Sequence, residues 1–122
     1  MLLTNEQIYS YANKLVEAFG DSEQRLPVKM NFYLQKNKKI LLELAQDIEK
    51  SRLDIAQSNG TYDSERGQYA IDPNKIENAQ KELIELFEIE QEVDIQTISF
   101  DSIDENLVLT TAQMEALMFM ID

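Results

Sequence analysis

Residues 27–60, PVKMNFYLQKNKKILLELAQDIEKSRLDIAQSNG, decide the fold. Pro27 suits the first turn of a helix, where its missing N–H would be unpaired anyway. No Gly or Pro follows until Asn59-Gly60, so the spacing predicts one helix over about 27–58, roughly 45 Å long at 1.5 Å per residue. Met30, Leu34, Leu41, Leu44, Ile48 and Ile55 recur at near-heptad spacing, the pattern of a long helix packed in a hairpin, a bundle or an intermolecular coiled coil. Asn37 and Ser51 fill polar positions of that seam. Asn37 could fix a register, but the plainer reading is that the seam meets solvent there.

Elements of other periods flank this helix. Upstream, Thr4-x-x-Gln7 reads as a capping box, followed by Ile8, Tyr11, Ala12, Leu15, Val16 and Phe19 on one helical stripe. Gly20 is expected as its left-handed stop, with Asp21-Ser22 continuing the loop. Downstream, Thr61-Tyr62 and Gln68–Ile71 bracket a polar, Gly-containing turn and suggest a hairpin. Tyr62 and Tyr69 would form either a contact tip or a cap on the open end of the helical hairpin. Asp72-Pro73 then marks a helix start. Ile76, Ala79, Leu83, Leu86 (or Ile84) and Phe87 supply its buried stripe, so this helix, about 73–91, is expected to return antiparallel to the long one.

After Glu92 the period becomes 2. Val93, Ile95 and Thr97 alternate with polar residues, and Ile98 and Phe100 continue with opposite parity, which predicts a strand over 93–100 with an irregularity near Thr97. Its expected partner is the hairpin at 61–71. Leu109-Thr110-x-x-Gln113 repeats the opening Leu3-Thr4-x-x-Gln7, and Met114, Leu117, Met118 and Ile121 are read as the stripe of a final short helix. The fold class is therefore mainly α (α+β): a long antiparallel helical hairpin with short terminal helices and a small two- or three-stranded β element, in a single domain of residues 1–122.

Charge is distributed unevenly along this frame. Of 23 acidic side chains, eleven follow Lys81, the last basic residue, while residues 1–81 hold all eleven Lys and Arg against twelve acids. Such polarisation concerns partners more than folding. There is no His and no Cys, so the commonest general base, the best thiol nucleophile and the usual zinc ligands are absent. No Gly-rich phosphate loop, nucleophile elbow or dinucleotide fingerprint occurs. Asp101-x-x-Asp104-Glu105 clusters oxygens but lacks the spacing of a calcium loop and is read as a capped or solvated turn. We expect no enzyme activity, no cofactor and no metal. Direct nucleic-acid binding is not expected either, because Lys29, Lys36, Lys38 and Lys39 form a diffuse patch and the acidic third repels phosphate. Neither a signal peptide nor a membrane span is apparent.

Four segments carry a resemblance: Leu3-Thr4-Asn5-Glu6-Gln7-Ile8; Leu26-Pro27-Val28-Lys29-Met30 with the lysines after it; Val93-Asp94-Ile95-Gln96-Thr97-Ile98; and Leu109-Thr110-x-x-Gln113 through Phe119-Met120-Ile121. In these the chain resembles a family of small, uncharacterised proteins of tailed phages and prophages of Gram-positive bacteria. The resemblance implies a phage accessory protein acting in the host bacterial cytoplasm and assigns no functional residue. Combined with the charge pattern, the expectation is a non-enzymatic protein that binds another protein stoichiometrically, in its sharpest form an acidic inhibitor of a host nucleic-acid-processing or defence enzyme. The candidate contact residues are Glu82, Glu85, Glu88, Glu92, Asp94, Asp101, Asp104, Glu105, Tyr62 and Tyr69. The alternative is a virion structural or assembly component or chaperone, with the long helical seam serving as a homo-oligomer contact.

Overall fold

A computed structural model describes residues 1–20 and 25–122; the Asp21-Ser22 loop expectation lies outside the described residues. The elements in chain order are strand β1 (Leu2–Thr4), helix α1 (Asn5–Phe19), helix α2 (Val28–Ser58), strands β2 (Gly60–Asp63) and β3 (Gln68–Ile71), helix α3 (Ile76–Glu88), strand β4 (Glu90–Glu92) and helix α4 (Thr111–Leu117). Short 3₁₀ turns precede α3 (Pro73–Lys75), join β4 to α4 (Phe100–Ser102) and follow α4 (Met118–Met120). The mainly helical architecture around one long helix and its antiparallel return is thus as expected.

α2 is the spine. Pro27 is its N-cap and not a first-turn residue: its carbonyl accepts from the Asn31 N–H at 2.8 Å. Met30, Leu34, Leu41 and Ile48 are buried, with Leu44 and Ile55 half-buried against them. α1 lies on this seam through Ile8, Ala12 and Leu15, its capping box formed by Thr4 and Gln7. Gly20, expected to be left-handed, is right-handed at φ −56° and simply extends the last turn, its N–H bonded to the Val16 carbonyl at 2.8 Å.

α3 returns antiparallel to α2. At the shared end, Asn59 of the α2 terminus donates to the Glu82 carboxylate at 3.0 Å and accepts from Asn78 at 2.8 Å. The β2–β3 hairpin closes this end, with Tyr62 opposite Tyr69. Gly67 supplies the one positive φ of its turn (67°), where a side chain would be strained. The Asp72 side chain does not cap the following turn; it accepts instead from the Thr61 hydroxyl at 3.0 Å.

The β pairing differs from expectation. The hairpin stands alone, and the chain's second two-stranded sheet pairs β1 with β4, Leu3 opposite Gln91. The predicted strand over 93–100 is an extended segment whose backbone is satisfied piecemeal. Val93 donates to the Met1 carbonyl at 2.8 Å. Gln96 is held by the Asn37 side chain, and Ile98 bridges to the chain end, donating to Met120 O and accepting from the Asp122 N–H, both at 2.8 Å. The parity change near Thr97 coincides with that clamp.

Asn37 therefore corrects the solvent-facing reading. It is fully buried; its Oδ1 accepts from the Gln96 N–H at 2.8 Å and its Nδ2 donates to the Gln96 carbonyl at 2.9 Å. One side chain replaces the strand neighbour that Gln96 lacks. The final helix is also rotated from the predicted stripe: Gln113, Ala116, Leu117 and Met120 are buried, while Met114 and Met118 are exposed. Tyr11 of α1 stacks on Phe119 with ring centroids 4.8 Å apart.

Candidate functional site

Each candidate residue can now be placed on an element. Glu85 and Glu88 lie exposed on α3, and Asp94, Asp101, Asp104 and Glu105 are exposed along the extended chain that follows. Glu82 is structural: it accepts from both Asn59 and Asn78, the latter at 2.7 Å. Glu92 is paired with the terminal ammonium of Met1 at 2.7 Å. Asp104 folds back on its own turn, accepting from the Asn106 N–H at 2.9 Å. Tyr62 is exposed and Tyr69 half-buried; their rings meet edge-on at 5.3 Å above Arg52, Leu53 and Ala56 of α2. The two tyrosines thus cap the end of the helical hairpin while Tyr62 keeps an open face.

The acids do not converge on one spot. Glu82 sits beside Asn59 at the end of α2, Gln96 beside Asn37, and Asp104 beside Pro27 and Met30 at the helix start. Residues 82–104 therefore run as an acidic ribbon from the end of α2 back to its start, roughly 45 Å at the helical rise, while α4, with Glu115, packs on α1. The ribbon's track is fixed by three asparagines, each at most 4% exposed. Asn5 donates to Leu86 O at 2.9 Å and accepts from Gln91 at 2.7 Å; Asn37 holds Gln96; Asn59 holds Glu82.

Whether Lys36, Lys38 and Lys39 neutralise this ribbon was open from the sequence. Among the described residues, the ion pairs are Met1–Glu92, Arg52–Glu49 and Arg66–Asp63, so none joins a carboxylate after Lys81 to a Lys or Arg side chain. Arg52 is engaged elsewhere. It grips Glu49 with two nitrogens, at 2.5 and 2.9 Å, while Tyr9 donates to the same carboxylate at 3.1 Å. The Arg52 bond, aided by Tyr9 and opposed by desolvation, holds the Glu49 carboxyl below the usual glutamate range. A depressed folded-state pKa contributes stability above the unfolded value and loses it as pH falls through the folded one. Arg52→Ala should move the Glu49 midpoint, followed by carboxyl NMR, back up. The stability change should stay below about 1 kcal/mol, because both groups are more than a third exposed and screened.

Sequence reasoning did not locate an apolar groove of about 410 Å³ between the start of α1 and the end of α3, lined by Glu6, Leu83, Ile84, Phe87 and Glu88. Ile84 was visible as an alternative to Leu86 in the α3 stripe. Leu86 is the buried one and Ile84 is 58% exposed. The groove floor is braced from behind, since Phe87 meets Tyr9 edge-on at 6.0 Å and Tyr9 is tied to Glu49.

Among the described residues, no group of three or more His, Cys, Asp or Glu side chains is placed to hold a metal ion. No described helix is long and apolar enough to cross a membrane. The long-helix seam residues Met30, Leu34, Leu41 and Ile48 belong to the chain's own core together with Ile8, Leu15 and Met120. Comparison with protein-family models, curated proteins and solved structures finds no match to this chain.

Proposed function

We propose that this chain is a non-enzymatic binding protein that acts stoichiometrically on another protein, presenting its acidic ribbon to a basic surface. In the sharper form, it is a phage accessory protein that occupies the phosphate-binding groove of a host nucleic-acid-processing or defence enzyme. The observation that supports it is the unneutralised ribbon: exposed carboxylates without Lys or Arg partners among the described residues, on backbone pinned by Asn5 and Asn37. Fixed charges lose little freedom on binding, and a complementary surface steers encounter. The phage origin rests on the sequence resemblance alone.

The test is affinity capture from host lysate across a salt series, with duplex DNA as competitor. A partner held by charge complementarity should elute between low and high salt and be released by DNA. A complex indifferent to both would sink this reading.

A further inference from the structure

We infer that the groove between α1 and α3 is the docking site for a basic amphipathic helical segment of the partner protein. This rests on the reading of the chain as a protein-binding protein and names the chemistry that its partner presents. Ile76, Leu83, Ile84 and Phe87 fall on one helical stripe of α3, about 16 Å long at the helical rise. Ile76 and Ile84 are 46% and 58% exposed. Leu83, Ile84 and Phe87 line the groove and Ile76 continues the stripe beyond it, so that together they match about three turns of an opposing helix, the usual helix-in-groove arrangement.

Charge selects the occupant. One wall comes from residues 1–13 and the other from residues after Lys81, and neither stretch contains a Lys or Arg. The terminal ammonium, the one cation of the first wall, is taken by Glu92. Glu6 of α1 and Glu88 of α3 both line the groove, and Glu85 is exposed on the same helix. At its groove end, where Glu6 and Glu88 flank Ile84 and Phe87, the strip fits a peptide with aliphatic residues on one face and Lys or Arg beside them, while Lys75 and Lys81 lie toward the other end of the same helix. The same rim opposes the other occupants. A second copy of this chain carries net charge −12, and nucleic acid and anionic lipid carry the same sign.

The probe is a fluorescein-labelled peptide of about 16 residues with Leu at i, i+3, i+4, i+7, i+8 and i+11 and Lys elsewhere, read by anisotropy. Its control has the same composition rearranged to alternate, so that it has no helical face. The helical-pattern peptide should bind the intact chain saturably and at least about tenfold more tightly than the control. Ile84→Ser, at an exposed position that leaves the core intact, should weaken binding about tenfold or more. Glu88→Lys should weaken it similarly and flatten its salt dependence. The double variant Asp101→Lys/Glu105→Lys, at the other end of the ribbon, should change it by less than about twofold. Equal binding of both peptides, an unaffected Ile84→Ser, or equal losses from the near and distant charge reversals would overturn the groove while leaving the acidic-ribbon reading intact. Absence of saturable binding up to about 1 mM would also overturn the groove, and the salt and DNA competition would still decide the ribbon reading separately.

Discussion

Asn37→Leu should lower stability to urea by about 3 kcal/mol, although leucine matches the seam and is similar in bulk. The reason is the Gln96 peptide. Its N–H and C=O both end on the Asn37 amide, and leucine leaves each without a partner in a partly dry site, at about 1–3 kcal/mol per group. That is a large share of the roughly 5–15 kcal/mol by which a domain is stable. Lys36→Leu, next to it on the exposed side, should change stability by less than about 0.5 kcal/mol. Asn37→Asp provides a second readout. An ionised aspartate could accept from the N–H but would face the Gln96 carbonyl with an acceptor, whereas the protonated acid could donate to it. The folded-state pKa of that aspartate would therefore be raised. Relative to the parent chain, the variant should recover stability as pH falls into the carboxylate range and lose it as pH rises. If Asn37→Leu left the urea midpoint unchanged, the clamp would have no energetic role.

Met120→Ala should cost about 2–4 kcal/mol and Met118→Ala less than about 0.5 kcal/mol, as read from paired denaturation curves. Met120 is 1% exposed within the core, and Met118 is 65% exposed. The two lie two residues apart, so the contrast reports the frame of the chain end directly. Reversed values would restore the stripe of Met114 and Met118 expected from hydropathy. Asn37 Nδ2 also approaches Met120 Sδ at 3.6 Å. A double-mutant cycle between these positions should therefore show coupling of about 0.5 kcal/mol or more.

These two positions also show where reading the sequence stops. Local rules place what is local: both Thr-x-x-Gln capping boxes form as spaced, and the α2 seam is buried where its heptad lies. The final helix was misphased because methionine and alanine suit the same stripe. The close approach of α1 favours the small Ala116 and leaves Met114 outside. The β1–β4 pair was missed because each strand has three residues, and Glu90–Glu92 has no apolar alternation. Asn37 gave no signal beyond its polarity, since its partner is a peptide group 59 residues away. In the candidate site, the surplus of acids was legible by counting. Their lack of basic partners was not, because pairing depends on which segments meet.

The pairing of β1 with β4 and the packing of α1 on α4 join the first residues of the chain to nearly the last. On a ribosome, α1 emerges long before either partner exists. At ~5–20 residues per second, the wait for residues 90–117 is of the order of 5–20 seconds. During that interval Ile8, Ala12 and Leu15 have α2 as their cover. The α1–α2 contact is thus the first of these whose residues have all been synthesised, and the acidic segment that covers α1 comes last.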